Sequence, residues 1–234
     1  MKMRKSLVCT IFLMQWQLTC GVLWAQINPD TSLAVRKAAL KEMEKRMESE
    51  VKVVWDDQLG VPKIVSGELT TPGYLYRFKN ATEAAFTFLS ENKSLFGISI
   101  PQKGLKLTSE WEDELDMRHL RFRQYANGLR VVGCELLLHF SKNGSIESVN
   151  GGWVPSFNMS TAASISKNQA VTIASTRVGK SAELKATELI FYRMEPQILL
   201  AWEVKLSEPD RPKMEAIIDA RDGTILYFDD GLRF

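Results

Sequence analysis

The residues suited to chemistry are few. The sequence holds two histidines, His119 and His139, and three cysteines, Cys9, Cys20 and Cys134. A catalytic zinc needs ligands at fixed spacing, such as two histidines one helical turn apart. His119 and His139 lie in separate strand-like segments, with no HExxH and no cysteine pair, so they read as ordinary sheet histidines. A Cys–His nucleophile would have to use Cys134. His139 lies an odd number of positions away, which puts the two on opposite faces of a regular strand. His119 could approach Cys134 across the hairpin, but nothing requires it, and Cys134 reads as a small core residue. Glu110, Glu112, Asp113, Glu114 and Asp116 cluster around Trp111 without the ligand order of an EF-hand, and read as a solvated loop between strands. Arg118, Arg121 and Arg123 alternate with His119 and Phe122 on a strand; a nucleic-acid patch is one reading, and a polar sheet face is the favoured one. No Gly-x-Ser-x-Gly elbow and no phosphate-binding glycine loop occurs. No catalytic set, cofactor site or metal site emerges, which points to a binding or folding module.

The elements that carry these residues follow from periodicity. Met117 to Tyr125, Leu129 to Phe140 and Ser145 to Asn150 read as three strands of a meander, joined at Asn127-Gly128 and Asn143-Gly144. Asn-Gly is the strongest short-range hairpin signal, because a type I′ turn needs positive φ at both central residues. Cys134, Leu136, Leu138 and Phe140 fall on one face of the middle strand, and Glu135, Leu137 and His139 on the other.

Upstream, residues 30–50 predict a helix capped by Asp30, Thr31 or Ser32, with Leu33, Leu40, Met43, Met47 and Val51 on one face. Val51 to Trp55 and Ile64-Val65 read as strands around the turn 56–60. A second helix is expected at 81–92, where Asn80 and Glu83 form a capping box and Ala81, Ala85, Phe88 and Leu89 share a face.

After the meander, residues 151–163 read as a loop and a boundary. Ser166 and Gln169 then cap a third helix whose stripe is Ala170, Ile173, Ala174 and Val178. Strands follow at 188–193, 198–206, 213–219 and 224–228, with a turn at Arg221-Asp222-Gly223. Each half thus has a helix followed by a meander, an α+β pattern.

Residues 1–25 read as a secretory signal: Lys2, Arg4 and Lys5, then an apolar stretch from Leu7 to Met14, then a cleavage site at Ala25. Gln15 and Gln17 interrupt any membrane span. Lipidation at Cys20 is the weaker reading, because Gln17 stands where an apolar residue is wanted. The whole chain has 234 residues, 30 Lys+Arg and 28 Asp+Glu, net +2. Cleavage removes three cations and no acids, leaving 209 residues of net charge −1 with Cys134 alone. That excludes an intrachain disulfide in the mature chain and argues against nucleic-acid binding.

The run from His119 to Phe140 resembles the fungalysin/thermolysin propeptide (FTP) domain. The family pattern falls here on Arg121, Gln124, a turn at Gly128, Val131 or Val132, Gly133, Glu135 and His139, and Phe88 to Gly97 is similar to its helix and exit. The second half resembles a PepSY domain through Ser166 to Ala174, Leu200 to Val204 with Trp202, and Ile218 to Leu226 with Asp219 and Gly223. FTP followed by PepSY is the order of propeptides of secreted thermolysin-like zinc proteases. The resemblance implies two small α+β domains, each a helix packed on an antiparallel meander (PepSY/cystatin-like). Their limits would be 1–25 for the signal peptide, 26–50 for an N-terminal helix, 51–155 for the FTP-like domain and 160–230 for the PepSY-like domain. It implies a non-catalytic inhibitor and folding chaperone, secreted or in the periplasm or cell envelope, whose partner is a zinc metalloprotease catalytic domain. No nucleic acid, cofactor or stable membrane span is expected. The alternative is an exported peptide- or envelope-binding PepSY module with no protease partner. The sequence ends at Phe234 without a protease domain, so the expected mode is action in trans or as the remnant of a precursor.

Overall fold

The computed structural model describes residues 26–27, 32–178, 182–195 and 197–231. The expected signal segment with Cys9, Cys20 and Ala25, and the caps Asp30 and Thr31, lie outside them. The strands are β1 (Gln26–Ile27), β2 (Lys52–Trp55), β3 (Pro62–Ser66), β4 (Leu105–Glu112), β5 (Arg118–Ala126), β6 (Leu129–Phe140), β7 (Ile146–Gly152), β8 (Phe157–Asn158), β9 (Glu183–Met194), β10 (Gln197–Glu208), β11 (Arg211–Asp219) and β12 (Ile225–Asp229). The helices are α1 (Leu33–Met47), α2 (Ala81–Glu91), α3 (Lys93–Phe96), α4 (Pro101–Gly104) and α5 (Lys167–Val178).

The fold is mixed α+β, with a mostly antiparallel sheet and few helices. The main sheet runs β12-β11-β10-β9-β6-β7-β3-β2, with β5 on the other edge of β6 and β4 beyond it. The pairing of β6 with β9, Val131 to Phe191 and Val132 to Tyr192, is parallel; the other ladders are antiparallel. The sheet therefore continues from the first half of the chain into the second instead of stopping at residues 155–160.

The helix caps form as the sequence indicates. Glu83 N–H donates to Asn80 Oδ1 at 2.8 Å, while the Glu83 carboxylate reaches back to Lys79 N–H, one residue before the cap. Ser166 and Gln169 exchange bonds at the start of α5. The largest core lies between the inner face of β4–β7 and the first helices, where Met43, Ala84, Phe88, Phe96, Phe122, Leu138 and Trp153 are buried. Each of the larger side chains among them contributes roughly 1.5–3 kcal/mol by leaving water, and the Ala84 methyl about 0.8 kcal/mol. A second cluster joins Val131, Cys134 and Val154 to Phe191 and Leu200. The third packs Ala170 and Ala174 of α5 on Val204, Met214 and Ile218.

Three local expectations are corrected. The acidic segment around Trp111 is not all loop: residues 105–112 form β4, exposed at all but Leu105, and the even spacing of Leu105, Leu107 and Trp111, interrupted at Ser109, was the signal overlooked beside the acidic residues. Asn143-Gly144 is not type I′. Only Gly144 has positive φ, and Asn143 Oδ1 instead accepts from Ser145 N–H, so the loop closes by Ser141 N–H to Ser145 O and Gly144 N–H to Ser141 O. On α1, Leu33 meets the Gly60 turn and stays 41% exposed, while Arg36 takes a fully buried position.

Candidate partner-binding face

The outer face of the β4–β7 sheet is built by a register defect. The Asn127-Gly128 turn is type I′ as expected, with φ of 47° and 83°. It pairs Ala126 with Leu129 and Tyr125 with Arg130. Three extra residues on β6 then intervene, and pairing resumes at Arg123 with Glu135. Gly133, at φ 78°, lies in this bulge. On its other edge β6 pairs with β9 at Val131 and Val132, within the bulge, and with β7 from Glu135 onward. A bulge at that point bends the strand and lets one strand serve both neighbours.

Beyond the bulge, His119 stands directly opposite His139 and Arg121 opposite Leu137. The next strand places Ser148 beside His139 and Asn150 beside Leu137. β4 brings Trp111 to His119, the rings 5.0 Å apart and stacked at 29°. His119 Nδ1 and His139 Nδ1 are 2.6 Å apart, and His119 Nε2 lies 2.9 Å from Asp113 Oδ2. His139 Nε2 bonds Asn150 Oδ1. Four segments are thus tied by one line of side chains, Asp113–His119–His139–Asn150.

Beside it, Arg121 donates to Glu135 Oε2 at 2.8 Å and Arg123 to Glu135 Oε1 at 3.2 Å. Partial burial pushes the Glu135 carboxyl up, but the bonds from Arg123 and Arg121 outweigh it and hold it below the usual carboxylate range. Asp113 is held low by the N–H of Met117 and by His119. His139 is pushed below the usual imidazole range, first by burial and then by the His119 charge, against the pull of Asn150 and Asp113. Ile64 and Val54 continue the face onto β3 and β2, 42% and 53% exposed. The face is open and polar at one end, with apolar side chains at the other.

The expected site residues divide. Arg121, Glu135 and His139 meet on this face. Gly128 shapes the turn and Gly133 the bulge. Gln124 points the other way: it is buried, donates to Val154 O at 2.7 Å and accepts from Val154 N–H at 3.0 Å. It pins the chain leaving β7 beneath the bulge. Trp202, Asp219 and Gly223 lie in the second half and belong to none of this. Trp202 Nε1 donates to Ile165 O at 3.0 Å, and the Asp219 carboxylate holds Arg221 and its N–H. Gly223, at φ 83°, lies where a Cβ would come within 2.8 Å of Ile173. These three fasten α5 and the last turn to the sheet.

Sequence reasoning missed His119, Asp113, Asn150 and Trp111 as one constellation. Cys134 faces the core, away from both histidines, and burial pushes its thiol up to about 11. Among the described residues no group of three or more His, Cys, Asp or Glu is arranged to hold a metal. No helix among them is long and apolar enough to cross a membrane.

Residues 103–152, which span β4 to β7, match the Fungalysin/Thermolysin Propeptide Motif. The chain is 28% identical over 184 residues to bacillolysin of Bacillus subtilis (strain 168), covering 70% of this chain and 32% of the relative. It is 29% identical over 191 residues to thermolysin of Alicyclobacillus acidocaldarius subsp. acidocaldarius, covering 76% of this chain and 34% of the relative. The chain thus spans about a third of the length of these curated relatives. Among solved structures, the Bacillus megaterium YpeB C-terminal domain overlaps 85% of this chain and 96% of its own, with 13% identity and a TM-score of 0.37.

Proposed function

We propose that this chain is a non-catalytic propeptide-type partner of a thermolysin-like zinc metalloprotease, assisting its folding and inhibiting it. The observation that carries the reading is the coincidence of the propeptide motif with β4–β7. Arg121, Arg123, Glu135 and His139 converge there on one face, with His119 nearly buried against Trp111. The partner surface is the outer face around Arg121, Glu135 and His139, extended by Leu137, Ile64 and Val54. The second half, read as a PepSY-like unit over residues 160–230, braces that face through the β6–β9 pairing. Export with cleavage after Ala25 belongs to the same reading.

The physical logic is mass action. A partner that binds the folded protease and not its unfolded chain shifts the equilibrium toward the folded form. Binding over the cleft blocks substrate by occupancy, and no chemistry of the partner is needed.

The test supplies the purified chain in trans to a refolding thermolysin-like catalytic domain and, separately, to the folded enzyme. The expected result is a higher refolding yield and slower cleavage of a reporter peptide at micromolar protein. No change in either measurement sinks the proposal.

A further inference from the structure

The line Asp113–His119–His139–Asn150 limits how many protons the two rings can hold. With Asn150 presenting Oδ1, His139 Nε2–H donates to it and His139 Nδ1 accepts. His119 Nδ1–H then donates across the strands and His119 Nε2–H donates to Asp113, so the couple carries one imidazolium against one carboxylate. With the Asn150 amide turned over, Nδ2–H donates to His139 Nε2, His139 Nδ1–H donates to His119 Nδ1, and His119 Nε2–H still faces Asp113. Both rings are then neutral, and every ring nitrogen has a partner. In either state one proton sits between two nitrogens 2.6 Å apart. Charging both rings sets N–H against N–H there, and neither a tautomer nor an amide turn removes the conflict.

We propose that the His119–His139 couple is a one-proton latch, which holds the Trp111–Met117 corner on the sheet until both rings are charged and then releases it. The couple ties this corner to the sheet beside the β4–β5 ladder pairs Trp111–His119 and Glu112–Arg118, the Arg118–Glu112 ion pair and the Asp116–Lys142 pair. Trp111 stacks on His119, and Asp113, which accepts from Leu115 N–H and Met117 N–H at 2.9 and 3.0 Å, is joined to the sheet through His119.

The groups facing the couple are few. From the β4 side come Trp111 and Asp113. The Asp116–Lys142 pair closes the far end of the turn. The Arg121–Glu135 pair lies one step along the same face of β5 and β6. β7 contributes Ser148, Asn150 and the exposed Glu147. Among the described residues no cation bonds either ring, and the one carboxylate that does, Asp113, is already committed to His119. Because burial and the neighbouring ring both disfavour charge on His139, the second proton enters on the acid side of the ordinary imidazole range. The latch is a property of this chain alone and does not rest on the protease reading.

The test is long-range proton–nitrogen NMR of the imidazoles in the full chain, from about pH 8 to about pH 4. The expected result is a first step in which both rings shift together. A second step follows at lower pH, where the Trp111 indole resonance moves with the same midpoint. Asn150→Asp, which puts a carboxylate on His139 Nε2, moves the second step to higher pH. Independent titration of the two rings overturns the latch, as does a Trp111 signal that ignores the second step. A low-pH Trp111 change that survives in His139→Asn does so too. The wild-type measurement decides the question even where a variant does not fold.

Discussion

Gly151→Ala tests the strand pairing that builds the candidate face. Gly151 sits on β7 opposite Leu136 with φ 142°, and an added Cβ would lie 2.2 Å from Glu135 O, 3.1 Å from Glu135 C and 3.2 Å from Leu136 Cα. Two costs add. Holding a side-chain-bearing residue in that backbone region costs about 1–3 kcal/mol. Relieving a contact with backbone rather than with a flexible side chain forces β6 and β7 apart, about 1–3 kcal/mol more by analogy with overpacking. The expected loss is therefore about 2–6 kcal/mol, a large part of a typical stability of about 5–15 kcal/mol. Gly133→Ala separates the two costs. It has φ 78° but nothing within 4 Å of its Cβ, so only backbone strain of about 1–2 kcal/mol is expected. Urea unfolding of both variants and the wild type gives the numbers. A Gly151→Ala loss no larger than that of Gly133→Ala would refute the reasoning, because it would mean that β6 and β7 do not meet as described.

Other substitutions probe the supports of the face. Gln124→Leu removes both bonds to buried Val154 and strands its N–H and C=O, so a loss of about 2–4 kcal/mol is expected in the same unfolding assay. Arg193→Leu leaves the buried Asp56 carboxylate without its 2.8 Å partner; with Lys63 and two N–H groups still near, about 3 kcal/mol is expected, and Asp56→Asn in the same background should recover part of it. The Cys134 thiol, raised to about 11 by burial, should react with a thiol reagent only on unfolding, so rapid native-state labelling would contradict its placement. Stability should fall as pH drops from about 6.5, because the unfolded chain takes up a proton that His139 resists in the fold. It should fall further as pH drops through the depressed values of Asp56, Asp113 and Glu135, whose stabilisation is complete only above the ordinary carboxylate range of about 4. Thermal melts across that range check both slopes.

Much of the first half was legible because its signals are local. The Asn80–Glu83 cap, the apolar stripe of α2 and the alternation along β6 each sit within a few residues. The His119–His139 pairing was not legible from the turn. A two-residue loop at Asn127-Gly128, continued in register, places His119 opposite Leu136 and never opposite His139. A signal existed nonetheless. Leu120 and Phe122 must share the buried face with Leu136, Leu138 and Phe140, which the turn's register forbids without an odd number of extra residues on one strand. Gly133, within an otherwise β-branched and apolar run, marks where they go. β4 stayed hidden for a different reason: Leu105, Leu107 and Trp111 do alternate with polar residues, but Ser109 and the neighbouring acids mask that period on an exposed edge strand. The start of β9 was missed likewise, since Glu183 to Ala186 are exposed. In the second half Trp202, Asp219 and Gly223 stood out by type, yet they serve the packing of α5 and the last turn, which no short string distinguishes from binding.

The proposed role has the outer face of β4–β7 engage a zinc-dependent protease of the thermolysin type. The most direct measurement is the inhibition constant of the chain against such an enzyme, for the wild type, for Ile64→Glu on the face, and for Lys167→Glu at the start of α5 on the far unit. Inhibition is expected at micromolar wild type, weakened roughly tenfold or more, about 1.4 kcal/mol, by Ile64→Glu and unchanged by Lys167→Glu. No inhibition by the wild type, or equal inhibition by Ile64→Glu, would contradict the proposed role.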